Sequence, residues 1–152
     1  MGLFDAIDVS GSGLSAERLR MDVTAENLAN AETTRAANGG PYRRKDVILS
    51  EAQPNGFANA LAGAIGTVPG APGSQPAGGV TVSQIVNDNT PPRMVYDPSH
   101  PDANAQGYVA MPNINPVTEM TDLIAESRTY EANVTAMQSA KQMFTKTLDL
   151  LR

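Results

Sequence analysis

The sequence predicts an α+β protein: a coiled-coil-like pair of amphipathic N- and C-terminal helices, with a small antiparallel β unit and a Pro/Gly-rich loop between them. Apolar residues recur at heptad spacing near both ends of the 152-residue chain, which predicts the helices. Short segments rich in Val, Ile and Tyr alternate with turn residues in the middle, which predicts the strands. We therefore expect three parts: helical assembly segments at 1–34 and 116–152, and a β-rich middle domain at 35–115.

The N-terminal segment carries the weaker of the two heptads. Its apolar residues recur at Ile7, Leu14, Met21 and Leu28. Glycines at Gly11 and Gly13 interrupt this pattern, and glycine is a poor helix former. The sequence therefore predicts a helix that begins near Leu14 and ends before Thr33.

The C-terminal segment carries an unbroken heptad. The two apolar positions of the repeat are occupied by Met120, Ser127, Val134, Lys141 and Leu148, and by Leu123, Tyr130, Met137, Phe144 and Leu151. Pro116 suits the first turn of a helix, and no later Pro or Gly interrupts the segment. We expect one helix from Pro116 to Arg152, and its apolar seam needs a partner to be stable.

The middle of the chain contains four strand candidates. They are Tyr42–Leu49, Val80–Val86, Arg93–Tyr96 and Tyr108–Met111. Residues 54–79 are mostly Pro, Gly, Ala and Asn, a composition that buries little apolar surface. The sequence predicts an antiparallel unit of three or four strands with a long loop at 54–79.

Composition excludes several classes of function. The chain has 11 basic and 16 acidic residues, which argues against binding of nucleic-acid phosphates. It has no Cys, and therefore neither disulfides nor thiolate metal sites. No apolar run is long enough to span a membrane, and the start lacks the pattern of a cleaved secretory signal. We expect a chain without direct membrane insertion.

The sequence offers little for catalysis, cofactors or metals. His100 is the only His and lies in a Pro-bracketed turn, so no catalytic, cofactor-binding or metal site is expected. Arg43, Arg44 and Lys45 form the one compact basic cluster. A solvated strand edge is the default interpretation of that cluster, with an interfacial salt bridge as the alternative.

Several motifs resemble one protein family. Ala29–Thr33 resembles the A-N-x-x-T motif of bacterial flagellar rod and hook proteins, and Tyr130–Thr135 is similar to part of their C-terminal domain. Within the family, Pro41–Lys45, Asp97–Pro101 and Gly107–Pro112 most resemble the corresponding segments of proximal rod subunits. The resemblance covers both ends and the middle landmarks, but leaves out the predicted loop.

The resemblance implies a structural subunit of the periplasmic rod of the flagellar basal body. Members of the family are exported by the flagellar type III apparatus without a cleaved signal, and assemble helically with other rod proteins and with copies of themselves. Two other classes of function stay open from the residues alone. A coiled-coil adaptor fits the amphipathic ends, whereas a cell-wall enzyme would need paired carboxylates on a concave surface.

We expect the apolar seams and the helix-end motif to form the assembly surface. The side chains of Asn30 and Thr33 suit the end of a helix, because amides and hydroxyls bond nearby backbone groups. The expected assembly residues are Leu14, Met21, Asn27, Leu28, Asn30, Thr33, Met120, Leu123, Tyr130, Asn133, Val134, Met137, Phe144, Leu148 and Leu151.

Overall fold

The computed structural model describes residues 3–37, 39–52 and 78–150. Its elements in chain order are helix α1 (Leu3–Ala29), strands β1 (Lys45–Glu51), β2 (Val80–Asn87), β3 (Arg93–Tyr96) and β4 (Tyr108–Met111), and helix α2 (Pro116–Leu150). The predicted α+β class is confirmed. Most of the predicted loop at 54–79 lies outside the described residues.

Helix α1 is longer than the sequence predicts, because it runs through Gly11 and Gly13. The hydroxyl of Ser12 donates to the Val9 carbonyl at 2.7 Å and accepts the Val80 N–H at 3.0 Å. A methyl group on Gly13 would lie 3.2 Å from Asn133 Nδ2, so glycine permits a close approach there. The predicted start near Leu14 is wrong, since these tertiary contacts outweigh the low helix propensity of glycine.

Helix α2 begins at Pro116, as the sequence predicts. Asn115 precedes it, and its side-chain oxygen accepts the Val117 N–H at 3.1 Å. This is the geometry of an N-cap, and Pro116 follows it at a position where a missing N–H costs nothing. In the described part of the chain, no helix is both long and apolar enough to cross a membrane.

The four strands form two separate two-stranded sheets, not one unit. Strands β1 and β2 pair in one sheet, and β3 and β4 pair antiparallel in the other. The register of the second sheet is Arg93 with Met111, Met94 with Ala110, Val95 with Val109, and Tyr96 with Tyr108. Pro91 and Pro92 follow β2 and have no N–H groups, so they cannot continue the ladder into β3.

The chain divides into two compact units. Unit 1 is drawn from the described residues within 1–16, 49–83 and 130–152, and unit 2 from those within 17–48 and 84–129. Unit 2 contains a small apolar core of Ala31, Tyr42 and Ile114, packed against Ala36. It also contains five buried polar or charged side chains, namely Glu17, Thr24, Asn27, Glu119 and Glu126. Polar contacts therefore contribute much of its interior.

Candidate assembly site

Asn27, near the end of α1, is the centre of a buried polar cluster in unit 2. Its side chain is 1% exposed. Nδ2 donates to the Lys45 carbonyl at 2.8 Å and to Glu119 Oε2 at 3.3 Å. Oδ1 accepts the Tyr42 hydroxyl at 3.0 Å and the Lys45 N–H at 2.9 Å. All four bonding positions of the amide are used, so Asn27 joins α1 to β1 and to the first turn of α2.

Glu119 is buried as one half of an ion pair. Its Oε1 accepts Arg44 Nε at 2.6 Å, while Oε2 accepts the Asn27 amide. The hydrogen bond to Glu119 raises the pKa of Arg44 above its ordinary value, so the guanidinium stays charged. A buried carboxylate needs such partners, because an unpaired charge would lose its hydration without compensation.

Tyr42 and Lys45 complete the cluster. Burial raises the pKa of Tyr42 to about 12, and the negative charges of Glu26 and Glu119 add to the rise. Lys45 Nζ lies 2.6 Å from Glu26 Oε1 and 5.8 Å from the centre of the Tyr42 ring. The phenol therefore stays neutral at physiological pH and donates a hydrogen bond to Asn27 Oδ1.

The basic cluster is not the solvated edge that was the default expectation. Arg44 and Lys45 each pair with a glutamate of a helix in the same chain. An interfacial salt bridge stays a prediction. Arg43 is exposed and donates to Asn89 Oδ1 at 3.4 Å. Only the tertiary structure reveals this difference, because the three residues are alike in charge and adjacent in sequence.

The Ala29–Thr33 motif forms the turn that ends α1. The Asn30 side chain donates to the Glu26 carbonyl at 2.9 Å, and the Thr33 hydroxyl donates to Asn30 Oδ1 at 3.1 Å. The Thr33 carbonyl then accepts the Tyr42 N–H at 3.1 Å. The motif thus satisfies a terminal carbonyl of the helix and directs the chain toward the polar cluster. Its role in assembly stays a prediction.

A second set of contacts ties this turn to the loop before β4. Asp102 accepts the Thr34 hydroxyl at 2.9 Å and pairs with Arg35 at 2.9 Å. The Asp102 N–H donates to His100 Nδ1 at 3.1 Å. The ring nitrogen therefore has a structural partner, and the described residues contain no group of three or more side chains suited to a metal ion.

The helix faces that meet in unit 2 differ from the predicted apolar seams. Glu119 and Glu126 of α2 contact Asn27 and Thr24 of α1, and Arg20 lies 3.6 Å from Glu126. Glu119 and Glu126 are seven residues apart, each one residue before a predicted seam position. The contact is therefore polar, and the neighbouring seam residue Met120 stays 52% exposed.

The predicted assembly residues fall into three groups by burial. Asn27 is buried; Leu14, Met21, Leu28, Asn30, Thr33, Leu123, Tyr130, Asn133, Val134 and Met137 are partly buried; Met120, Phe144 and Leu148 are exposed. Leu151 lies outside the described residues. Among them, the structure joins Asn30 to Thr33 by a hydrogen bond. Sequence reasoning missed Tyr42, Arg44, Glu119 and Glu126, although the heptad spacing of the two glutamates was a usable signal.

Comparisons with known proteins match both ends of the chain to family models. A family model described as flagella basal body rod protein matches residues 7–36. A second, described as flagellar basal body rod FlgEFG protein C-terminal, matches residues 105–150. The two matches cover most of both helices.

Curated relatives match over almost the whole chain. The flagellar basal-body rod protein FlgC of Bacillus subtilis is 47% identical over 99% of this chain and 99% of its own length. The proteins of the same name from Borreliella burgdorferi and Salmonella typhimurium are 41% and 38% identical, over 100% and 99% of this chain and over 99% and 98% of their own lengths. The chain therefore belongs to the FlgC family of flagellar basal-body rod proteins.

Proposed function

We propose that this chain is a structural subunit of the proximal rod of the bacterial flagellar basal body. Membership of the family supports a role in the rod. Relatives that match from end to end support the same place in the rod for this chain as for FlgC. The single structural observation that carries the proposal is an apolar strip left open on α2. Val117, Met120 and Ile124 follow each other at helical spacing in unit 2, and are 71%, 52% and 56% exposed.

The C-terminal part of α2 has the same property. The apolar side chains of Met143 and Leu148 there are 59% and 50% exposed. Apolar side chains that stay exposed gain little from packing within the chain, and short helices are marginal in water. We infer that neighbouring subunits cover this segment in the assembled rod.

The exposed apolar area is large enough to influence assembly. Full burial of one such side chain is worth about 1.5–3 kcal/mol. Five half-exposed side chains would then gain on the order of 5 kcal/mol per subunit, before the entropic cost of association. These five are Val117, Met120, Ile124, Met143 and Leu148.

The proposed place in the rod implies which partners the chain contacts. We propose that the chain packs against other rod proteins and copies of itself in a helical assembly, within the periplasm. It would arrive through the flagellar type III export apparatus without a cleaved signal, and as part of the rod it would transmit motor torque. The exposed apolar side chains of α2 suit this route, because their packing energy becomes available only at the site of assembly. Catalysis is not part of the proposed role.

A coiled-coil adaptor between other basal-body components is the second candidate, since the open strip on α2 would serve it equally well. The two differ in stoichiometry. A rod subunit is present in many copies along a helical lattice, whereas an adaptor forms a defined small complex.

The proposal is tested by placing a charge on the strip. Ile124→Asp should be produced and exported but fail to enter the rod, because a carboxylate would be buried among apolar side chains. The matched control is Ala125→Asp, an exposed residue on a different side of the same helix turn. Rod content is measured in purified basal bodies of cells that produce each variant alone. Normal incorporation of Ile124→Asp would reject the strip as an assembly surface.

A further inference from the structure

Glu126 is a buried carboxylate with incomplete hydrogen bonding. Its side chain lies in unit 2 and the residue is 6% exposed. Oε1 accepts the Thr24 hydroxyl at 3.2 Å and lies 3.6 Å from Arg20 Nε. Oε2 is buried and has no hydrogen-bond partner in the part of the chain that the structure describes. An ionised carboxylate is an acceptor at both oxygens, so one of its oxygens lacks compensation for lost water.

Glu119, one heptad earlier on α2, differs from Glu126 in its hydrogen-bond partners. Both glutamates are buried against α1. Glu119 has partners at both oxygens, including the Arg44 guanidinium at 2.6 Å. Glu126 has one oxygen partnered and a more distant arginine. The polar contact between the helices thus contains one glutamate suited to be charged and one that is not.

The charged groups around Glu126 do not compensate for the missing partner of its Oε2 atom. On α1, Arg20 is shared with Glu17, whose carboxylate lies 3.4 Å from it. On α2, Asp122 lies one helical turn before Glu126 and lines the same cavity of about 240 Å³. Both neighbouring acids disfavour a further negative charge at this position.

The remaining charged groups of that cavity come from β1 and the residue before it. They are Arg44, Lys45 and Asp46. Arg44 pairs with Glu119 and Asp46, and Lys45 pairs with Glu26. Arg44 and Lys45 therefore each already have an acidic partner other than Glu126.

We propose that Glu126 is a proton-linked element of unit 2, which packs against α1 best as the neutral acid and loosens that contact when it ionises. Protonation would turn a bare acceptor into a donor, in a cavity that Asp122 also lines. Burial raises the pKa of Glu126 above its ordinary value of 4.5, while the Thr24 hydroxyl and the Arg20 charge act in the opposite direction.

The direction of the pH effect follows from this shift. Because the folded state binds the Glu126 proton more tightly than the unfolded state, its stabilising contribution is complete below the unfolded pKa. That contribution is lost as the pH rises through the higher pKa of the folded state. At neutral pH, an uncharged amide at this position should therefore stabilise unit 2.

The first test measures the Glu126 carboxyl directly in the full-length chain, by its ¹³C chemical shift as a function of pH. The expected pKa of Glu126 is above 4.5. Thr24→Val should raise the pKa further, since it removes a hydrogen bond to the charged form. Asp122→Asn should lower it, since it removes a neighbouring negative charge. A Glu126 pKa at or below 4.5 would overturn the proposal.

The second test uses Glu126→Gln, with Glu32→Gln as the control at an exposed glutamate of the same unit. Urea unfolding of unit 2 is followed through the amide resonance of buried Val109 at pH 7 and pH 4. The expected result is a higher midpoint for Glu126→Gln than for the wild type at pH 7, and at least half of that gain lost at pH 4. An equal gain at both pH values, or a loss at pH 7, would contradict it. Because both readouts concern the isolated chain, they are independent of rod assembly.

Discussion

Asn27 and Glu119 are 92 positions apart in the sequence, yet Asn27 Nδ2 donates to Glu119 Oε2 at 3.3 Å. Both residues are almost fully buried, one near the end of the first helix and the other in the first turn of the last. A buried amide paired with a carboxylate tolerates little sliding, because a shifted register would leave both groups without partners. We infer that this pair sets the register of the two helices in unit 2.

Replacement of Asn27 by Ala tests that inference. It would leave Glu119 Oε2, the Tyr42 hydroxyl and two backbone groups of Lys45 without their present partners. We expect a loss of about 3 kcal/mol in the free energy of unfolding of unit 2, since each unsatisfied buried group costs about 1–3 kcal/mol and some will find water. Denaturant unfolding measures the change. Asn113→Ala, at an exposed position of the same unit, should cost under about 0.5 kcal/mol.

The Arg44–Glu119 pair should behave as a coupled unit. Arg44→Gln should destabilise unit 2 by about 3 kcal/mol, because the buried Glu119 carboxylate loses its charged partner. Glu119→Gln should cost less, because Arg44 is partly exposed and also pairs with Asp46. The double variant should lose much less than the sum of the two. A double-mutant cycle from denaturant unfolding measures this coupling, and strict additivity would show that the two charges act independently.

We expect ionisation of Tyr42 to lower the stability of unit 2 at alkaline pH. Its pKa rises from 10.0 to about 12 in the fold, so the folded state holds the phenolic proton more tightly than the unfolded state. This contribution, roughly 3 kcal/mol for a shift of this size, is complete below pH 10 and is lost as the pH rises toward 12. Tyr42→Phe should remove much of that pH dependence. The measurement is the unfolding midpoint of each protein at pH 8 and pH 11. An equal fall in midpoint for the wild type and Tyr42→Phe would contradict the prediction.

The helix-end motif gives a prediction about assembly. Thr33→Ala removes the hydrogen bond to Asn30 Oδ1, and Asn30→Ala removes that bond and the one to the Glu26 carbonyl. Each change should cost about 1 kcal/mol per lost bond in every subunit. We expect both variants to be exported at normal levels and to accumulate outside the inner membrane, with little rod. Retention in the cytoplasm would instead assign the motif to export recognition.

Hydrogen exchange should differ along α2 in the isolated chain. Amides from Lys141 to Asp149 should exchange rapidly, because every side chain of that segment is exposed. Amides between Glu119 and Glu126 should exchange more slowly, since that part of the helix is held by Asn27, Arg44 and Thr24. Mass-spectrometric exchange of the monomer measures both segments. Equal protection would show that the end of the helix is stable without neighbours.

Much of the secondary structure could be predicted from local sequence. Strands β3 and β4 have the predicted bounds, and α2 begins at Pro116 as expected. Proline and asparagine act on their immediate neighbours, so their effects are visible in the sequence. The start of α1 was predicted wrongly, because contacts of Ser12 and Gly13 with distant residues support the helix there.

The α+β class, the heptad spacing at both ends and the resemblance to a protein family are all visible in the sequence alone. The face of each helix that is buried in unit 2 depends instead on contacts between distant parts of the chain. Heptad counting favours the apolar seam with Met120, but the face one residue earlier contains Glu119, which meets Arg44 and Asn27. A charged side chain can be buried only where partners from distant parts of the chain converge on it, and that convergence is a property of the fold, not of local spacing.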